Sequence, residues 1–180
     1  MIHPNDLRDA LCGDEVGRAV EVCIRLLSYG PRTERELLQR LARKDHDAEV
    51  AAEAVAQVRE RGYVDDAEFA RFWVSNRDQF KPMGARRLLA ELHQKGVARE
   101  TAQESVDEAL PDGEYDAAMR AGRKKLRTLA TEQDYAVFRR NLGGFLARQG
   151  FDWESSSRVV AALWAELHGE AVDDGDAPAG

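Results

Sequence analysis

Cysteine is scarce in this chain: only Cys12 and Cys23 occur in 180 residues. Two thiols, with no histidines spaced as partners, exclude a disulfide scaffold and a structural zinc site. Cys23 shares a helical face with Val20, Ile24 and Leu27 and is expected to be a buried thiol. His3, His46, His93 and His168 are scattered and are expected at the surface or at helix ends. Long apolar runs are absent, and so is a basic, then apolar, leader with a small-residue cleavage site. These absences lead to the expectation of a soluble, cytoplasmic protein with no membrane partner. Strand signals are also missing, because β-branched clusters and strict alternation are rare. No phosphate-binding glycine loop, nucleophile motif, HExxH pair or carboxylate cluster with a histidine is present. No catalysis, metal or cofactor is expected.

Net positive charge is lacking as well. The chain carries 26 Lys and Arg against 33 Asp and Glu, a formal −7, which argues against nucleic-acid binding by the whole surface. The distribution is uneven. Acidic residues dominate from Asp45 to Glu68, and no Lys or Arg occurs from Glu100 to Asp116. By contrast, Arg71, Arg77, Lys81, Arg86, Arg87, Lys95 and Arg99 face only Asp78 and Glu91. Met119 to Arg148 carries eight basic residues against Glu132 and Asp134. The expectation is an acidic protein with basic surfaces.

What the chain has in abundance is helical periodicity. Helices are expected near Glu15–Ser28, Glu34–Lys44, Ala48–Arg61, Ala67–Phe80, Ala85–Lys95, Glu100–Leu110, Glu114–Leu129, Asp134–Gln149 and Trp153–His168, with a weak short helix around Asp6–Leu11. Gly30-Pro31, Lys81-Pro82-Met83-Gly84 and Pro111-Asp112-Gly113 separate neighbours, and Thr33 with Glu36 has capping-box spacing. An internal repeat groups the helices in threes. Leu88, Leu92, Gly96, Val97, Glu100 and Val106 correspond at constant offset to Leu37, Leu41, Asp45, His46, Glu49 and Val55. In a third copy they correspond to Leu142, Leu146, Gly150, Phe151, Glu154 and Val160. The predicted fold is all-α, an elongated array of three tandem three-helix repeats, since one such unit cannot bury its apolar face alone. The expected divisions are an N-terminal extension (1–14), repeats at 15–66, 67–112 and 113–168, and a disordered acidic tail (169–180). Such an array suits a polymeric partner better than a small molecule, and the chain is expected to be a monomer.

The run from Gly62 to Arg77 packs a helix stop and a helix start together. Gly62 ends one helix, Asp65 and Asp66 open the next, and Asp65 with Glu68 has the spacing of a reciprocal cap. The aspartates therefore read as caps rather than as catalytic carboxylates. Phe69, Phe72, Trp73 and Asn76 share a helical face, and the aromatics are expected in the core. Farther on, Arg120, Arg123, Lys124 and Arg127 form a cationic stripe at i, i+3, i+4 and i+7, with Ala118, Gly122, Leu126 and Leu129 toward another face. Arg77, Lys81, Arg86 and Arg87 bracket the Pro82–Gly84 break and are expected to gather at one helix junction, where guanidinium forks can grip carboxylates or phosphates.

The Gly62–Arg77 run, the segment Gly84-Ala85-Arg86-Arg87-Leu88-Leu89-Ala90-Glu91-Leu92-His93-Gln94-Lys95-Gly96-Val97 and the element Phe145–Phe151 resemble, in order and spacing, the RecX family, over roughly Ala19 to Leu167. The family motif falls on Gly62, Asp65, Asp66, Phe69, Ala70, Gly84, Leu88, Leu92 and Gly96. One departure is Lys44-Asp45-His46, where the family has a Lys-Gly-hydrophobic step. The resemblance implies a regulator of the RecA recombinase that associates with RecA filaments on single-stranded DNA and restrains filament growth, ATP hydrolysis and strand exchange. It implies single-stranded DNA as a partner, touched directly or through RecA, and no catalysis. The two basic groups above are then the candidate RecA or DNA contacts. An autonomous helical DNA-binding module and an inert helical adaptor are the alternatives.

Overall fold

A computed structural model describes the backbone of residues 4–169 and the side chains of residues 15–169; the expected acidic tail lies outside the described residues beyond Gly169. Among them are nine helices and no strand: α1 (Pro4–Leu27), α2 (Glu34–Ala42), α3 (Ala48–Glu60), α4 (Asp66–Phe80), α5 (Ala85–Lys95), α6 (Arg99–Ala109), α7 (Tyr115–Leu126), α8 (Tyr135–Gln149) and α9 (Trp153–His168). The all-α repeat expected from periodicity is what the chain forms. Two extents differ. The weak helix around Asp6–Leu11 and the one expected from Glu15 are a single helix, with Pro4 at the first helical position, where a missing N–H costs nothing. Helix α7 stops at Leu126 instead of Leu129. There the Lys125 carbonyl accepts from both the Thr128 N–H (3.0 Å) and its hydroxyl (2.9 Å), and Leu129 N–H turns back to Leu126.

The repeat is written into the backbone at the point where α2, α5 and α8 end. Asp45 (φ 61°), Gly96 (φ 96°) and Gly150 (φ 93°) all take the left-handed conformation. In each copy the next N–H bonds back to the leucine of the last turn: His46 to Leu41 at 3.2 Å, Val97 to Leu92 at 3.1 Å and Phe151 to Leu146 at 3.2 Å. These are the same helix-ending loop, closing an orphan carbonyl with a six-residue hydrogen bond. Leu41, Leu92 and Leu146 are fully buried, so the stop is anchored by the core. Asp45 adopts it although it is not glycine, because a short polar side chain tolerates this region.

The chain divides into two compact units, one of residues up to Trp73 with Glu91–Ser105, the other of Val74–Ala90 with the residues from Val106 on; the dividing points fall inside α4, α5 and α6. In the first unit, α1 contributes Ala19 and Cys23, α2 contributes Leu37 and Leu41, and α3 contributes Ala54, Val55 and Val58 to one core. In the second, Ala117, Ala118 and Ala121 of α7 meet Phe138, Leu142 and Leu146 of α8 and Val159, Leu163 and Trp164 of α9. The small residues on α7 permit close approach. A Cβ on Gly122 would lie 2.9 Å from Leu163 Cδ1. The outer faces of α7 and α8 are thereby left to solvent, and both carry cations.

Candidate functional site

The two aspartates that open α4 cap two different helices. Asp65 Oδ1 accepts from the N–H groups of Ala67 (2.8 Å) and Glu68 (3.1 Å), capping α4. Asp66 instead accepts from the backbone N–H of Glu34, the first residue of α2, and burial pushes its carboxyl above the usual carboxylate range. Gly62 supplies a left-handed turn before them (φ 75°). Phe69 and Ala70 are buried, as are Leu88 and Leu92 of α5. The aromatic row is split, contrary to the expectation that it is all core. Phe69 is buried and stacks on Trp73 at 5.7 Å, but Phe72 is 49% exposed. Trp73 is half-buried: its indole N–H donates to Glu91 (3.1 Å) and Lys95 Nζ lies 4.5 Å above the ring. Lys95 also binds Glu36 at 2.5 Å, and the Thr33 hydroxyl donates to the Lys95 carbonyl at 2.7 Å while accepting from Glu36 N–H. Lys95 thus ties α2 to the end of α5 beneath an aromatic ring.

Helices α5 and α8 meet at a backbone-to-backbone contact. Gly84 N–H donates to the Gln149 carbonyl (3.1 Å), and a Cβ on Gly84 would fall 2.2 Å from the Gly150 oxygen. Arg86 Nη2 donates to the Ala147 carbonyl (2.6 Å). Arg87 Nη1 donates to the Arg148 carbonyl and to Gln149 Oε1, both at 3.2 Å. Two of the candidate contact cations therefore satisfy the open carbonyls at the C-terminus of α8, where positive charge is favoured. Arg77 is half-buried and engaged within the fold, and Lys81 is exposed. The junction is locked by Glu114, whose buried carboxylate accepts from Ala85 N–H (2.6 Å) and Asp152 N–H (2.7 Å), holding the starts of α5 and α9 together. Burial pushes the Glu114 carboxyl up, against the pull of these two N–H donors, and the neighbouring Asp152 carboxyl adds to the rise. Burial alone would also raise Asp152, but bonds from the Ser155 N–H and hydroxyl and from Glu114 hold it down.

The α7 stripe is exposed as its spacing predicts, yet most of it is paired. Arg120 bonds to Asp78, Arg123 to Glu166 at 3.2 Å, and Lys124 Nζ to the Phe80 carbonyl at 3.0 Å. Arg127, beyond the end of the helix, has no hydrogen-bond or ion-pair partner for its guanidinium among the described residues. Sequence reasoning passed over a second group. Arg139, Arg140 and Arg148 on α8 and Lys125 on α7 have no such partner for their charged groups among the described residues. Arg140 lines two depressions: one of about 430 Å³ with Lys125, Asn141 and Arg148, the other of about 920 Å³ with Arg139, Tyr135 and Trp153. The count of basic residues between Met119 and Arg148 contained this group, but only the α7 set has the regular spacing that draws notice.

No group of three or more His, Cys, Asp or Glu among the described residues can hold a metal ion, and no described helix is long and apolar enough to cross a membrane. Cys23 is buried, and burial raises its thiol. The protein is a helical tandem-repeat protein whose exposed chemistry is cationic in its third repeat. Three family models match it in order: the RecX first three-helix domain over residues 19–57, the second over 65–106 and the third over 112–160. It is 37% identical over 155 residues to the regulatory protein RecX of Amycolatopsis mediterranei (strain U-32), covering 86% of this chain and 88% of the relative. To the regulatory protein RecX of Thermobifida fusca (strain YX) it is 35% identical over 160 residues, covering 89% and 84%. A crystal structure of regulatory protein RecX superposes with a TM-score of 0.78 at 18% identity, covering 88% of this chain and 78% of that one. RecX from Lactobacillus salivarius does so with 0.72 at 16% identity, covering 84% and 97%. The chain belongs to the RecX family of regulatory proteins.

Proposed function

We propose that this protein regulates the RecA recombinase by binding RecA filaments on single-stranded DNA, restraining filament extension, ATP hydrolysis and strand exchange, and so homologous recombination and DNA repair. The observation that carries the reading is the match of all three repeats, in order, to a family of regulatory proteins. Tandem repeats offer a series of related faces, which suits a partner that is itself a series of identical subunits. The protein acts in the cytoplasm, as a monomer and without a cofactor of its own. Adding it to recombinase on single-stranded DNA is expected to lower ATP turnover and strand exchange together. Rates that stay constant across all stoichiometries would sink this reading.

Lys81 and Arg127, together with the paired cations Arg77, Arg86, Arg87, Arg120, Arg123 and Lys124, are the proposed contacts to recombinase or DNA. The pairing grades them. An exposed ion pair contributes only about 0–1 kcal/mol and exchanges readily for a stronger partner, so Arg120 and Arg123 stay available to one. Arg86 and Arg87, which close α8, are retained by the fold. A second reading, an autonomous helical DNA-binding module, is favoured by the partnerless cations of α8. It requires affinity for single strands without recombinase.

A further inference from the structure

We infer that the larger depression on the third repeat, between α8 and α9, is a binding site for single-stranded nucleic acid, with Trp153 as its base-stacking platform and Arg139 and Arg140 as its phosphate contacts. It rests on the second reading above, direct affinity for single strands, and is separate from the recombinase contact. Four observations converge on one strip of surface. First, Trp153 is 79% exposed at the start of α9 and lines the depression, whereas Trp73 is half-buried and Trp164 lies in the core. A large indole held in water on a rigid helix offers an open face to a planar ring. Second, Gly143, Gly144 and Ala147 supply the α8 stretch of the lining, where small side chains leave room for a ring.

Third, Ser156 is only 6% exposed and lines the same depression, yet its hydroxyl has no hydrogen-bond partner. A buried hydroxyl left unpaired is costly, and a base edge or phosphate oxygen would satisfy it. Fourth, Arg139 and Arg140 stand along the rim with no carboxylate partner among the described residues. Arg140 continues into the adjoining depression, where Lys125 and Arg148 carry the cationic track onward. Together the two depressions line up Arg139, Arg140, Lys125 and Arg148 as more cationic groups than one phosphate can use. Cations spread over two depressions that share Arg140 fit successive phosphates of a chain better than a single one.

Negative charge is present and sets the polarity of the site. Asp152 lines the depression and Glu154 follows Trp153, both near the start of α9. The Asp152 carboxylate is held by the Ser155 N–H (2.6 Å) and hydroxyl (2.9 Å), so it does not turn away. Phosphates accordingly lie on the α8 side, by Arg139 and Arg140, and the base lies on the α9 side, over Trp153. An acidic peptide would meet the same cations but has no use for an exposed indole beside a carboxylate.

The test uses the full-length protein and a labelled oligothymidylate, with no recombinase present. Binding is expected at low salt, with partial quenching of tryptophan emission. The affinity should fall with rising salt by about 0.7 logarithmic units per phosphate contact for each decade of salt. Trp153→Ala is expected to abolish the quenching and weaken binding roughly 5- to 100-fold, in line with loss of one stacked base. Arg139→Glu with Arg140→Glu should weaken it at least as far and flatten the salt dependence, with the helical circular dichroism unchanged in both variants. Arg43→Glu with Lys44→Glu, which reverses two exposed cations of the first repeat, serves as the control and should leave strand binding in place. The site is overturned if no strand binds at low salt, if both groove variants bind as the parent does, if the control alone loses binding, or if poly-glutamate displaces the strand and binds more tightly. A failure here with recombinase inhibition intact removes this site and leaves the proposed regulator standing.

Discussion

Single residues fix the junctions of this protein. Asp45 takes the left-handed conformation that glycine takes in the other two copies of the same loop. Asp45→Gly should therefore stabilise the protein by about 0.5–1 kcal/mol, the relief of αL strain exceeding the entropy glycine adds to the unfolded chain. A urea midpoint that fails to rise would contradict this. Glu114 is the converse case, one carboxylate serving two helix starts. Glu114→Ala leaves the N–H groups of Ala85 and Asp152 without their acceptor. The expected loss is about 1–3 kcal/mol, because both are partly buried, and equilibrium unfolding measures it. The sequence announced the left-handed positions through its glycines. It could not announce Glu114, whose two partners are distant in sequence and visible only when α5 and α9 begin side by side. Asp66 was read correctly as a cap but for the wrong helix, since local spacing points to α4 and the Glu34 N–H arrives from α2.

At the scale of the helix, periodicity told where α2 to α9 lie and which faces they bury, because burial repeats at the helical period. It did not tell which charges are already in use. The α7 stripe looked like an open cationic face, and the chain itself supplies Asp78, Glu166 and the Phe80 carbonyl to three of its members. Phe72 and Trp73 show the same gap. Their spacing suggested one buried face, but Phe72 faces water, and Trp73 is drawn to Glu91 and Lys95 from another helix. The consequence for α7 is testable. Arg123→Glu with Arg127→Glu breaks only one exposed pair, so stability should fall by no more than about 1 kcal/mol and helicity should persist. Inhibition of recombinase ATP turnover should nonetheless need several-fold more protein. If the inhibition curve does not move, the stripe is not the contact.

For the whole molecule, a raised carboxyl sits in each compact unit: Asp66 in the first and Glu114 in the second. A carboxyl raised on folding favours the folded state in its protonated form. That contribution is fully present below its unfolded pKa, about 4, and is lost as pH rises through the higher folded value. Asp152 runs oppositely, its contribution present above the ordinary value and lost in acid. The double variant Asp66→Asn with Glu114→Gln should therefore lose less stability than the parent between about pH 4 and pH 7, whatever its absolute stability. Unfolding midpoints across that range read this directly, and parallel profiles would count against it. Long-range organisation was legible in the sequence because the three copies share spacing. The groove beside α8 was not, because its members Tyr135, Arg139, Trp153 and Ser156 come from two helices and share no motif.

The common loop at Asp45, Gly96 and Gly150 has one more consequence. Because the chain leaves each second helix through the same geometry, a copy inherits its exit ready-made and needs no matched neighbour to define it. Outer surfaces can then drift apart between copies, one becoming acidic and another cationic, while the scaffold stays constant. The frame is held in common, and the faces are left free to differ.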